Sequence, residues 1–145
     1  VNTKRRFIRG TLAVLGALLV VMVNSTAPAS AATRNGTCES GEICFYFYEG
    51  LGGSLSDFTG SLDNYGATQP SCYEFKTPGL PGFETCMKNN AQSVWNRTGR
   101  AARVYFNSGY CGNYDTVNAN SWRNLSVTFD NNASHQFSPY SVACH

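Results

Sequence analysis

One phrase is written twice in this chain. "FYFYEGLGGSLSDF" starts at Phe45 and "VYFNSGYCGNYDTV" starts at Val104, and the two align without a gap. Tyr46/Tyr105, Phe47/Phe106, Gly50/Gly109 and Gly53/Gly112 are identical, and apolar residues meet at Phe45/Val104, Leu51/Tyr110, Leu55/Tyr114 and Phe58/Val117. A register kept over a dozen positions reads as an internal duplication. In each copy alternating aromatics mark a half-buried strand, with Phe45 and Phe47 on one face and Tyr46 and Tyr48 on the other. The glycines have no Cβ, so Gly53 and Gly112 can adopt positive φ and let the ribbon fold back over itself.

Each copy closes on a second shared phrase, "NNAQSVWN" from Asn89 and "DNNASHQF" from Asp130. This divides the chain into two units, about 43–97 and 102–140. The first is longer by a segment containing "SCYEFKTPGLPGFETC". Short alternating runs ("ICFYFYE", "SVWNR", "ARVYFN", "SVTF") predict strands, and no amphipathic helix is evident. Thr98-Gly99 between two of these runs predicts a hairpin turn, with Arg97, Arg100 and Arg103 solvated around it.

Residues 1–31 have the pattern of a secretory signal peptide: basic Lys4, Arg5, Arg6 and Arg9, then apolar Leu12 to Val23, then Ala29-Ser30-Ala31. The apolar run of twelve falls short of the roughly 20 residues that a spanning helix needs. The expected mature chain, 32–145, is a secreted single domain and a monomer, with no membrane contact after cleavage. It keeps seven Lys and Arg against nine Asp and Glu, a net charge of −2, which removes the case for nucleic acid. Its six cysteines would be oxidised after export. They allow 15 pairings, of which proximity selects Cys38–Cys44, Cys72–Cys86 and Cys111–Cys144. The second of these would staple the insertion at its base, a gain of roughly 3 kcal/mol in the chain-entropy model.

A doubled aromatic-x-x-x-G-x-x-G hairpin followed by an Asn-rich segment and a Ser-containing strand resembles the βγ-crystallin motif. The implied fold is an all-β, disulfide-bonded sandwich of two Greek keys. Through "CESGEICFYFY", "NNAQSVWNRTG", "VYFNSGYCG" and "NNASHQF", residues 36–140 are similar to the secreted actinobacterial metalloproteinase inhibitors, peptidase inhibitor family thirty-six. That resemblance implies a rigid substrate-like loop that blocks a secreted metallopeptidase of the thermolysin type. In the family's archetype the reactive bond follows a cysteine in a short disulfide-bounded loop. Here Gly112 follows Cys111 and no cysteine closes the same loop. Two loops are candidates: Ser108, Gly109, Tyr110, Cys111, Gly112 and Asn113, or the insertion with Phe75, Leu80 and Phe83 stiffened by Pro78 and Pro81.

Three other classes bear comparison. No cofactor is expected, weak calcium apart, for which Asn89, Asn90 and Ser93 with Asp130, Asn131 and Ser134 would supply oxygens. Asx-turn chemistry explains the same residues without a metal. An enzyme is not expected: His135 has no G-x-S-x-G elbow beside it, and Glu49 and Asp57 lie in a hairpin where charges are ordinary. A glycan- or cell-wall-binding module would use Tyr46, Tyr48 and Tyr105 as stacking platforms.

Overall fold

The two copies of the phrase build the same folded ribbon. In the computed structural model, which describes residues 34–141 and 144, β1 (Ile43–Tyr48) pairs with β2 (Gly52–Phe58), and β4 (Ala102–Asn107) with β5 (Cys111–Val117). Ile43 faces Phe58 and Tyr48 faces Gly52, while Ala102 faces Val117 and Asn107 faces Cys111. These pairs correspond position for position when the two phrases are aligned, and the register breaks at the same place in both. The backbone repeats as well. Gly53 and Gly112 have φ of 74° and 78°, and Leu51 and Tyr110 have 63° and 58°. The glycines accept that left-handed conformation without the Cβ clash that penalises other residues.

β3 (Ser93–Asn96), β6 (Ser121–Asn124) and β7 (Ser134–Phe137) complete two antiparallel sheets, ordered β2-β1-β3-β6 and β5-β4-β7. The third segment of each unit crosses to the other unit's sheet, as a strand in the second unit and as a single bridge in the first. β6 pairs with β3, and Leu62, the counterpart of Ser121 at the start of β6, bridges His135 of β7. Ile43, Phe45, Phe58, Val94, Val104, Val117 and Phe137 fill the space between the layers. This is the all-β two-Greek-key sandwich. The expected signal peptide, 1–31, lies outside the described residues.

Two local expectations fail. "SVTF" is a turn, because the buried Asp115 carboxylate accepts from Ser126 N (3.1 Å), Thr128 N (2.9 Å) and Thr128 Oγ1 (2.8 Å) and curls that segment. The strand lies just upstream in β6, which no buried apolar face marks: Trp122 and Asn124 are exposed and Ser121 and Arg123 half-buried. Thr98-Gly99 is not a hairpin turn either. β3 and β4 belong to opposite sheets, and Asn96 shapes the link between them by accepting from Thr98 N (3.0 Å) and donating to Arg100 O (2.7 Å). The arginines there are not simply solvated. Arg97 lies over Trp95 and Arg100 over Phe137, and Arg103 sits against both Tyr114 and Tyr140.

Disulfides join Cys38 to Cys44, Cys72 to Cys86, and Cys111 to Cys144. Among the described residues no helix is long and apolar enough to cross a membrane.

Candidate functional site

The insertion is the main departure from twofold repetition. It leaves the first unit after Tyr65, is stapled by Cys72–Cys86, and returns along the outer edge of β2. Lys76 N donates to Leu55 O (2.7 Å), Ser54 N to Pro81 O (2.9 Å) and Thr77 N to Ser54 Oγ (2.8 Å). An edge strand with unpaired amides invites foreign strands, and here the protein's own loop covers it. Bridges Glu74↔Cys86 and Phe75↔Phe83 close the loop on itself. The ring of Phe47 lies over Gly82 so closely that a Cβ there would collide with it.

The candidate residues of this loop separate. Phe75 is fully buried, edge-on to Phe47 at 5.5 Å, and belongs to the core, so it presents nothing to a partner. Leu80 and Phe83 are 45% and 38% exposed. Leu80 stands between two Pro–Gly pairs, with Gly79 at φ 76° and Gly82 at φ 88°. Proline followed by a positive-φ glycine is the type II turn pattern, and Phe83 N closes the second turn on Leu80 O (3.2 Å). The order of residues in "TPGLPGF" carries that signal by itself.

The other loop is committed internally. Ser108 Oγ donates to Asn64 Oδ1 (3.0 Å), Gly109 N to Asp63 O (2.7 Å), and Tyr110 N to Ser134 Oγ (3.2 Å). The Tyr110 ring lies 5.9 Å from that of Tyr105, and burial, then Asp63, pushes its hydroxyl pKa up. Cys111 is tied to Cys144, whose N donates to Gly109 O (3.0 Å). Gly112 and Asn113 are exposed. Positive φ at Gly109, Tyr110 and Gly112 means that this loop is not extended, and neither is Gly79 to Glu84. Neither candidate for the rigid substrate-like loop is therefore an extended strand, because each is closed by turns.

The Asn-rich phrases bind each other. Asn89 N donates to Asn132 O (2.8 Å) and Asp130 N to Ala91 O (3.2 Å), a reciprocal pair across the internal twofold. Ser93 Oγ accepts from Leu51 N (3.0 Å) and donates to Tyr48 O (2.6 Å); Ser134 Oγ accepts from Tyr110 N (3.2 Å) and donates to Asn107 O (2.7 Å). Each serine thus pins its own folded ribbon. Asn90 donates to Cys86 O and Lys88 O, Asn131 to Phe129 O, and Asp130 accepts from Gln92. Lys88 Nζ reaches Ser108 Oγ at 3.1 Å, placing a cation between the first phrase and the second hairpin. Among the described residues no group of three or more His, Cys, Asp and Glu could hold a metal.

His135 is fully buried. Its Nδ1 faces Tyr65 OH (3.0 Å) and its Nε2 faces Gly60 O (2.8 Å), and burial lowers its pKa to about 4. It is a core residue with no access to a substrate. Asp57 is buried and holds Asn35 N and Gly36 N, each at 2.9 Å. Tyr46 and Tyr105 are buried too, so of the three proposed stacking platforms only Tyr48 is exposed.

The repeated ribbons and exchanged strands define the class: a double Greek-key sandwich of the βγ-crystallin type. A chain described with the evolution of the eye-lens βγ-crystallin domain fold superposes with a TM-score of 0.51 at 13% identity, covering 79% of this chain and 96% of that one. The N-terminal domain of protein S gives 0.47 at 25% identity, covering 71% and 99%. No curated protein sequence matches. A sequence profile of peptidase inhibitor family I36 matches residues 31–117, and the chain belongs to that family. Its members' defining partner is a peptidase, which places this protein among inhibitors and not among enzymes.

Proposed function

We propose that the protein is a secreted, monomeric inhibitor of an extracellular metallopeptidase of the thermolysin type, and that the insertion enters the cleft with Leu80 leading. One observation carries the choice of loop: Leu80 is an exposed apolar side chain on a segment already fixed by Cys72–Cys86 and by its bonds to β2. Little conformational freedom is left to lose on binding. An apolar pocket in the peptidase would take the Leu80 side chain as an anchor. The bond after Leu80 is a tertiary amide to Pro81, which has no N–H. Turns on both sides prevent the loop from lying as an extended strand, the form in which peptide grooves pair backbone with backbone. The loop therefore fills the cleft without aligning a bond for cleavage. Any catalytic metal belongs to the partner.

Titration of a panel of secreted peptidases with the folded protein tests this reading. Stoichiometric loss of activity is expected with thermolysin-type enzymes and not with serine peptidases. Leu80→Ala should weaken inhibition by about 30-fold, on the order of 2 kcal/mol, and Tyr110→Ala should leave it unchanged. No inhibition of any metallopeptidase would end the reading; the reverse ranking of the two variants would move the site to the second hairpin.

A further inference from the structure

The insertion is gripped from both sides. On one side is β2; on the other is the short segment that precedes Cys38. Arg34 lies over the rings of Tyr73 (4.6 Å) and Phe58 (5.1 Å), and its guanidinium donates to Glu74 O (2.7 Å) and Ser56 Oγ (3.0 Å). Gly36 O accepts from Thr77 Oγ1 (2.9 Å). The segment is seated by Asp57, whose two carboxylate oxygens take Asn35 N and Gly36 N. Residues 73–77, the rising limb that leads to Leu80, are thus held between β2 and residues 34–36.

We propose that residues 34–37 are a strap that sets the pose of the insertion, with Arg34 as its positioning residue. The inference rests on the reading that the insertion is the inhibitory loop. Arg34 combines functions that no other side chain would replace. Its flat cation stacks on two aromatic faces, and its N–H groups tie Glu74 of the insertion to Ser56 of β2. No disulfide holds the strap, because the first begins at Cys38. Loss of the strap therefore leaves all three disulfides and the bonds to β2 in place and releases one side of the limb. A peptidase that trims the chain to Cys38 would convert a doubly gripped inhibitory loop into one held from the β2 side alone.

The test uses the full chain with Arg34→Ala, Arg34→Lys and Asp57→Asn. The Asp57 carboxylate accepts from the strap and not from the insertion, so an effect of its variant on the insertion passes through the strap. Amide hydrogen exchange is read at Phe75, Lys76 and Glu84, and inhibition is titrated in parallel. Arg34→Ala and Asp57→Asn should each speed exchange in the insertion while leaving β4 and β7 protected, and should weaken inhibition by about tenfold. Arg34→Lys keeps the charge but not the flat fork and should restore less than half of the loss. Unchanged exchange in the insertion in both Arg34→Ala and Asp57→Asn overturns the strap. Faster exchange with unchanged inhibition retains the strap as a structural clamp but removes its role in presenting the inhibitor. If the unaltered protein inhibits nothing, the proposed function fails, while the exchange measurement still decides the strap.

Discussion

The two units share a backbone but not a surface. Phe47 and Phe106 occupy matching positions in the two copies, at the same bend of the same ribbon. Phe47 is roofed by Gly82 and packs against Phe75. Phe106 has no such roof and is 42% exposed. Likewise Leu55 O receives Lys76 N from the insertion, and no described residue outside β4 donates to the matching Tyr114 O. The duplicated scaffold supplies stability twice, and the insertion uses one copy of it as a base. Function is therefore to be sought where the repeat is broken.

Changing one member of a matched pair sharpens this comparison. The largest effect is expected at His135, whose counterpart in the first unit is Val94. The folded protein holds His135 neutral down to about pH 4, while an unfolded histidine takes up its proton near 6.5. Stability is thus undiminished above pH 6.5 and falls as the pH drops from 6.5 to about 4, by about 3 kcal/mol in total. Urea denaturation across that window should show the slope. His135→Val should flatten it, at some cost at neutral pH because Tyr65 OH and Gly60 O lose their partner. An unchanged slope would break the assignment.

Next in size is the phenylalanine pair. Phe47→Ala should cost about 2 kcal/mol through lost packing beneath the insertion, and Phe106→Ala less than about 1 kcal/mol. Equal losses would mean that the insertion adds nothing to the first unit. The smallest contrast is between the glycines. Alanine at either Gly53 or Gly112 should lose about 1 kcal/mol to the left-handed backbone. Gly53→Ala should lose about 1 kcal/mol more, because its Cβ would meet Pro81 O at 3.0 Å and Phe47 Cβ at 3.1 Å. At Gly112 the nearest atom is Asn107 Nδ2, the end of a side chain that can move. Thermal melts of the two variants measure the difference.

The ribbons were legible because their constraint is local. A strand that alternates aromatics and then needs positive φ must contain glycine, so β1, β2, β4 and β5 are written in the residues themselves. β6 was not legible. "SWRN" carries a single large apolar residue, and it is a strand because β3 offers an edge, not because of its own pattern. "SVTF" misled for the converse reason: it has strand composition, but a distant carboxylate, Asp115, decides its shape. At the candidate site Leu80 and Phe83 were visible as apolar residues between and beside prolines. Phe75 looked the same in sequence, and only its position under Phe47 separates it from them. Arg34 gave no signal at all, since its partners Tyr73 and Glu74 lie far along the chain.

The reciprocal bonds from Asn89 to Asn132 and from Asp130 to Ala91 carry a historical consequence. A forebear with one ribbon unit would have offered the same donor and acceptor to a second copy of itself, along with a strand to lend and an edge to receive one. Such a surface is self-complementary, as a twofold homodimer requires. Within this one chain both partners of that contact are covalently joined, so it forms independently of concentration, and one half carries a loop that its twin lacks.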